Sequence, residues 1–337
     1  MAILLAVPAQ PADAPMFGGI LPFGLEDGSW YISIATNGYH AFPLDTTHGF
    51  PFYDFSFFPL WPAILAIPLR LGLPVAAAGS LINNAVFIAA GLLLFRAFEP
   101  RFGRRAALAG LAFLAFFPAS YVFSLDYAEA LLLLICALYF NVGPRSRWAP
   151  ILAGAAAATR MTGLAVSVAA CAGPLAERRR PTGMEALTIA AGPAVFLAWW
   201  LFIAQLTGRA DGFLLGSPAW ATAAKGGLIT IATSNLGAFD MRKWIPVAAF
   251  LLPLVGVRPL LERRRLDLLL FMAAVVLPAA WNGTWFSLPR YVLVAVPIFF
   301  GIAALLPRRT TAILVGALSA AGLVLFTVLV LRGGLIP

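Results

Sequence analysis

Residues 310–331 read TTAILVGALSAAGLVLFTVLVL, twenty-two consecutive residues without a charged side chain. A helix of about 20 apolar residues matches the hydrocarbon core of a bilayer, so this stretch predicts a membrane span. Seven further apolar runs, most of similar length, are 74–98, 105–123, 127–143, 184–206, 244–261, 266–281 and 291–307. The sequence therefore predicts an all-α polytopic membrane protein, with eight spanning helices in a single transmembrane domain over residues 1–337.

The composition of the chain excludes a water-soluble globule. Of its 337 residues, 61% are hydrophobic and only 11% are charged, which is too little polar surface for a soluble protein of this size. The net charge is +9, but the basic residues form short clusters between apolar runs, which argues against a nucleic-acid partner. The two cysteines, Cys136 and Cys171, lie in apolar runs and predict neither a disulfide nor a metal site.

Five basic clusters define the predicted topology, because positive residues favour the cytoplasmic side of a membrane. They are Arg101, Arg104 and Arg105; Arg145 and Arg147; 178–180; 263–265; and Arg308 and Arg309. Two cytoplasmic clusters flank residues 149–176, so the chain must cross and return between them. That segment is too short for two full spans, and we expect a re-entrant helical hairpin that turns at 159–163 and places Arg160 at membrane depth.

The same parity places residues 1–73, 124–127, 207–243 and 282–290 outside the cytoplasm. We interpret 1–73 as an external loop region with interfacial helices, and 207–243 as an external loop. Because an external first segment needs a helix to export it, we expect a first helix that is missing or shortened. Nine of the fourteen carboxylates fall on this side: Asp13, Glu26, Asp27, Asp45, Asp54, Asp126, Glu129, Asp211 and Asp240. Any chemistry is therefore expected on the outer face.

Two short amphipathic helices are predicted in the first external region. Asp27 can cap a helix that carries Trp30, Tyr31 and Ile34 on one face and stops at Asn37-Gly38. A second helix starts at the prolines of 57–62, FFPLWP, and its tryptophan is expected in an interfacial aromatic belt.

Several of these stretches resemble one family of membrane enzymes. The order acidic-Gly-x-Trp-Tyr at 27–31, followed by FFPLWP at 57–62, is similar to the PIG-V-like mannosyltransferases and their bacterial relatives. The elements Tyr127-Ala128-Glu129, 159–163 (TRMTG) and Pro289-Arg290-Tyr291 resemble later elements of the same family, in the same order. The chain departs from the family at Leu25-Glu26, where Arg-Trp is common, and at Ala128, where serine is common.

The resemblance implies a GT-C-like helical bundle that uses a polyprenyl-phosphate-linked sugar donor, usually of mannose, and inverts the anomeric centre. It implies that an acidic residue of the first external loop, matching Asp27, is the catalytic base. The expected location is the cytoplasmic (inner) membrane, with the active site on its extracytoplasmic face. The expected partners are the lipid-linked donor, a lipid or glycan acceptor and the bilayer, and no cofactor is predicted.

The residue chemistry is consistent with that implication. Sugar transfer by single displacement needs a carboxylate that accepts the acceptor's proton and cations that stabilise the departing phosphate. Asp27 can be the base, with Glu26 beside it to orient it or to share a divalent cation, and Arg160 and Arg290 can bind the phosphate. Residues predicted to support the site are Tyr31, His40, Asp126, Glu129 and Tyr291.

Other roles for these residues stay open at this point. Asp27, Asp126 and Glu129 could only cap helices, Arg160 could satisfy carbonyls at a broken helix, and Arg290 could extend to the membrane interface. A different function also stays open, namely a lipid or solute transporter with a midplane site at Arg160. A non-catalytic partner subunit of another transferase is the third possibility.

Overall fold

The computed structural model describes residues 27–40, 54–216, 241–281, 287–306 and 308–331, and all regular secondary structure in these ranges is helical. Three short 3-10 helices, Asp54–Ser56, Ser120–Ser124 and Met161–Leu164, accompany the α-helices. The α-helices are α1 (Asp27–Asn37), α2 (Leu60–Arg70), α3 (Val75–Phe102), α4 (Arg104–Ala115), α5 (Glu129–Val142), α6 (Ala149–Thr159), α7 (Ala165–Ala170), α8 (Ala172–Ala176), α9 (Gly183–Thr207), α10 (Gly212–Gly216), α11 (Met241–Glu262), α12 (Leu266–Trp281), α13 (Leu288–Val294), α14 (Pro297–Leu305) and α15 (Arg309–Leu331).

Three helices are long and apolar enough to cross a membrane: α3, α9 and the part of α15 over Arg309–Leu329. A fourth span is added if α13 and α14, which meet at an angle of 81°, count as one. The other four predicted spans fall on α4, α5, α11 and α12, which are not among the candidate spans found in the described residues. The structure thus supports a multi-pass membrane protein, and its described residues hold three or four candidate spans where eight were predicted.

Prolines explain two of the differences between predicted spans and observed helices. The run 105–123 is interrupted because α4 ends at Ala115, shortly before Pro118, and a 3-10 helix follows. The run 291–307 is divided because Pro297 begins a new helix. Proline lacks a backbone N–H and restricts the residue before it, so a helix commonly ends there.

Helix α1 has the predicted bounds but a different setting. It begins at Asp27, and Gly38 follows its end with a φ of +78°, a left-handed conformation that glycine adopts without strain. The face that carries Tyr31 and Ile34 is buried in the protein core, although the sequence suggested an interfacial helix. The helix is therefore packed into the bundle by this face.

Helix α6 runs parallel to its long neighbour α9. Near the start of both helices the Thr188 hydroxyl donates a hydrogen bond to the carbonyl of Pro144 at 3.3 Å. Further along both helices Gly154 faces Val195, and a Cβ added to this glycine would lie 3.3 Å from the valine side chain. The two helices therefore advance in the same direction.

The chain reverses direction after α6. Arg160 is extended, with φ −160° and ψ 157°, and Gly163 then lies so close to the backbone of Ala156 that a Cβ would collide with its carbonyl. Beyond the turn, the Ser167 hydroxyl donates to the carbonyl of Thr188 at 2.8 Å, which places α7 beside the first half of α9. Helix α7 thus runs antiparallel to α9.

Both arms of this hairpin end at one carboxylate. Glu185, which is buried at the start of α9, accepts hydrogen bonds from Arg145 at 3.0 Å and from Arg179 at 2.6 Å. Arg145 precedes the first arm and Arg179 follows the second, so the two arms begin and end at the same level. The chain thus leaves and returns to one level between Arg145 and Arg179, and the re-entrant hairpin over residues 149–176 stays a prediction.

Helix α3 connects the two polar ends of the bundle. Asn83 donates hydrogen bonds to the carbonyls of Leu125 and Tyr127, whereas Arg101 donates to the carbonyl of Phe140. The two positions are 18 residues apart (101 − 83), or about 27 Å at 1.5 Å per residue. That separation is close to the ~30 Å thickness of a hydrocarbon core.

Candidate active site

The central contact of the site joins the first described segment to a late one. Asp27, the first residue of α1, accepts a hydrogen bond at Oδ2 from Nη1 of Arg290 in α13, at 2.6 Å. The exposed fractions of the two side chains are 14% and 6%. The guanidinium of Arg290 is therefore held inside the bundle rather than extended into the surroundings.

A second ion pair adjoins the first. Glu129, the first residue of α5, accepts a hydrogen bond from Nη1 of Arg160 at 2.8 Å. Its Oε1 atom also lies 3.7 Å from Nε of Arg290. The four side chains form an alternating series, Asp27, Arg290, Glu129 and Arg160, which we call the ion-pair cluster and whose formal charge sums to zero.

Tyrosine rings pack against both guanidiniums of the cluster. Arg160 lies over the ring of Tyr291 at 5.6 Å, and Arg290 lies over the ring of Tyr127 at 5.1 Å. Tyr31 is buried on α1, close enough to the cluster for the charges of all four residues to influence its pKa. Burial raises the pKa of the Tyr31 phenol well above its usual range, so this side chain is a neutral hydroxyl donor. Cation–ring contacts of this kind stabilise a buried guanidinium, and low polarity around the cluster strengthens its ion pairs.

The segment that carries Tyr127 and Glu129 is held from outside its own helix. Asn83 uses both amide hydrogens on this segment, donating to the carbonyls of Leu125 and Tyr127. Trp61 donates from Nε1 to the Asp126 carbonyl at 2.9 Å. The predicted place of Trp61 in an aromatic belt is wrong, since the side chain is fully buried and fixes this segment.

Asp126 is buried beside the cluster but is not part of it. Within the described residues its carboxylate oxygens have no hydrogen-bond partner, and they face Gly79 and Leu65. Burial raises the pKa of Asp126 to about 8, which favours its neutral form. Its predicted supporting role at the site stays a prediction.

His40 lies at the opposite end of α1 from Asp27. Oδ2 of Asp54 accepts a hydrogen bond from the His40 backbone N–H at 2.9 Å and contacts its ring Nδ1 at 2.8 Å. The hydrogen bond with Asp54 raises the pKa of His40. The structure therefore places His40 in a separate pair, away from the cluster to which it was predicted to contribute.

Five of the predicted site residues, Asp27, Glu129, Arg160, Arg290 and Tyr291, meet in one place, and Tyr31 lies within their electrostatic range. Glu26, the second predicted catalytic residue, lies outside the described residues. Over the described ranges, no group of three or more His, Cys, Asp or Glu side chains is arranged to hold a metal ion.

Three contributors to the site have roles that sequence reasoning missed: Asn83, Trp61 and the Tyr127 ring. The Asn83-Asn84 pair offered a signal, because it interrupts an otherwise apolar run, and polar side chains at such positions commonly bind neighbouring helices. No such signal marked Trp61, because its partner is a backbone carbonyl 65 residues away.

The fold and this site together define an all-helical chain with candidate membrane spans and a buried ion-pair cluster at one polar end. Comparison with protein-family models, with curated proteins and with solved structures gives no match.

Proposed function

We propose that this protein is a GT-C-type membrane glycosyltransferase. It transfers a sugar, mannose by resemblance, from a polyprenyl-phosphate donor to a lipid or glycan acceptor on the extracytoplasmic face of the cytoplasmic membrane. The observation that carries the proposal is the 2.6 Å contact between Asp27 and Arg290, which are 263 residues apart in the sequence. The first joins the family-like element 27–31, and the second joins the family-like element 289–291.

Two further elements of the resemblance supply the rest of the cluster. Glu129 comes from the element at 127–129, and Arg160 comes from the element at 159–163. Residues that only cap their own helices do not need partners from segments far away in the sequence. Their convergence on one buried cluster is the arrangement expected of residues that act on one substrate.

The chemistry of the transfer uses these groups as follows. The acceptor hydroxyl oxygen attacks the anomeric carbon of the donor and forms a new glycosidic bond, while the bond from that carbon to the phosphate oxygen breaks. The hydroxyl proton passes to the Asp27 carboxylate. The lipid phosphate departs with one more negative charge than it had in the donor, and Arg160 and Arg290 stabilise this charge. Displacement from the opposite face inverts the anomeric centre.

The position of the cluster supports the predicted sidedness. The Asn83 end of α3 adjoins the segment that carries Glu129, and the Arg101 end lies about 27 Å away. Near the latter end Arg263 packs over the ring of Phe102. Both arginines belong to predicted cytoplasmic clusters, so the proposed topology puts the ion-pair cluster toward the outer side of the bilayer. Eight spans and a re-entrant hairpin remain our reading of the topology.

A transporter remains the alternative, and the break at Arg160 favours it. Broken helices form the substrate sites of many transporters. Arg160 is, however, paired with Glu129 rather than with backbone groups of the break, so it belongs to the same cluster as the proposed base. Uptake of a solute into vesicles without sugar transfer would favour the alternative.

The proposal is tested by sugar transfer in proteoliposomes. Purified protein is incubated with a radiolabelled polyprenyl-phosphate hexose and a lipid extract, and labelled product is counted. Asp27→Asn should abolish transfer, because it removes the base while keeping the shape of the side chain. Asp211→Asn is the matched control, because Asp211 forms an exposed pair with Arg209 and should leave transfer unchanged. Transfer by the folded Asp27→Asn variant near the wild-type rate would overturn the proposal.

A further inference from the structure

The two arginines that we propose to bind the phosphate are already paired with carboxylates. Asp27 holds Arg290, and Glu129 holds Arg160, in contacts of 2.6 and 2.8 Å. All four side chains are at most 14% exposed, so water screens these pairs weakly. A donor phosphate that enters the cluster must therefore compete with two resident counter-ions.

The cluster also has open hydrogen-bonding capacity. Within the described part of the chain, Oε2 of Glu129 and Nε of Arg290 are buried without a hydrogen-bond partner. Buried polar atoms are nearly always satisfied, and an exception marks a place where a ligand or a rearrangement completes the network. An anion beside Nε of Arg290 would supply the missing acceptor.

We propose that Asp27 and Glu129 act as exchangeable counter-ions of a phosphate site. The donor phosphate takes Arg290 and Arg160 from the two carboxylates, and this exchange frees Oδ2 of Asp27. The base is thus released only where a donor is bound. When the lipid phosphate departs and Asp27 releases its proton to water, the arginines return to the carboxylates and the cluster closes. This inference rests on the proposed function, and it concerns phosphate binding rather than transfer.

The exchange makes an unusual prediction about affinity, because removing the base should improve phosphate binding. An Asp27→Asn variant keeps the side-chain shape but no longer competes for Arg290 with a full charge. Because a hydrogen bond between charged groups, such as the one from Arg290 to Asp27, competes with the phosphate for the same arginine, we expect the variant to bind phosphate about tenfold more tightly or better. Glu129→Gln should act in the same direction through Arg160.

The test uses citronellyl phosphate, a short isoprenyl monophosphate without a sugar, and measures its equilibrium binding to purified protein in lipid nanodiscs. Asp27→Asn should bind about tenfold more tightly than the wild type, and Arg290→Gln should bind at least tenfold more weakly. Asp211→Asn, in the exposed pair with Arg209, should bind like the wild type. Equal or weaker binding by folded Asp27→Asn would overturn the exchange.

The wild type supplies a second measurement if the variants fail to fold. Difference infrared spectra on addition of citronellyl phosphate should show a change in the carboxylate bands, and unchanged bands at saturating ligand contradict the exchange. The two proposals can fail separately. Tighter phosphate binding by Asp27→Asn without sugar transfer by the wild type rejects only the transferase. Transfer by the wild type with unaltered affinity in Asp27→Asn rejects only the exchange.

Discussion

Replacement of Asn83 by leucine tests how the site is held together. Asn83 is fully buried and donates to the carbonyls of Leu125 and Tyr127, so the variant leaves both carbonyls without these donors. The Leu125 carbonyl still accepts from the backbone N–H of Tyr127 at 2.8 Å, so only the Tyr127 carbonyl is left unsatisfied, at a cost of about 1–3 kcal/mol. At about 2 °C per kcal/mol for a chain of this size, the unfolding midpoint should fall by about 2–6 °C.

The matched control is the next residue on the same helix. Asn84 donates to the carbonyl of Ser80 in its own helix and accepts from the Ser124 hydroxyl at an exposed position. Asn84→Leu should therefore shift the midpoint by no more than about 1 °C. Thermal unfolding followed by tryptophan fluorescence in one detergent compares the two variants directly.

The rate of sugar transfer gives a second comparison of the Asn83→Leu and Asn84→Leu variants. Asn83 fixes the segment that presents Tyr127 to Arg290, so Asn83→Leu should lose transfer at temperatures where it is still folded. Asn84→Leu should retain it. The reasoning is refuted if the two variants have equal midpoints, since hydrogen bonds to the Leu125 and Tyr127 carbonyls would then not stabilise the bundle.

Gly79→Ala should lower the unfolding midpoint, because the new Cβ would collide with the Asp126 carboxylate at a cost of about 1–3 kcal/mol. The control is Gly91→Ala on the same helix, whose Cβ meets nothing within 4 Å and which should be neutral or stabilising. His40→Ala should lower the midpoint at pH 6 more than at pH 9: Asp54 raises the pKa of His40 above 6.5, so the stabilisation is present below 6.5 and is lost as pH rises through the raised value. Asp126→Asn should flatten the pH dependence of unfolding, because burial raises the Asp126 pKa from 3.8 to about 8 and wild-type stability should fall with pH across that window. A lower midpoint for Gly91→Ala than for Gly79→Ala would contradict the first of these predictions. A loss of stability in His40→Ala that does not depend on pH would contradict the second. A wild-type midpoint that rises from pH 5 to 8 would contradict the third.

The residues of the cluster could be predicted from the sequence because they violate its general pattern. A charged side chain inside an apolar run, such as Arg160, or one between two runs, such as Arg290, is costly unless it has a partner or a function. Asp27 and Glu129 lie at helix starts on the side with many carboxylates, and the resemblance at 27–31 and 127–129 singled them out. Local pattern and charge sign, together with the resemblance, were sufficient to find these four residues.

The pairing of those residues could not be predicted, because it depends on packing between helices. Nothing local indicates that Arg290 binds Asp27 rather than Asp126, which is buried near α2 and α3 instead. The direction of α7 was predictable from charge parity. The 81° bend between α13 and α14 was not predictable, because a proline does not always break a helix: α3 and α9 each contain one and stay continuous.

The most direct measurement for the central claim is the anomeric configuration of the product made by the wild-type protein. Reconstituted protein receives a polyprenyl-phosphate hexose of known configuration, and the linkage in the product is assigned by NMR. A single displacement with Asp27 as the base predicts complete inversion. Retention of configuration, or no transfer from any polyprenyl-phosphate sugar by correctly folded protein, would contradict the account.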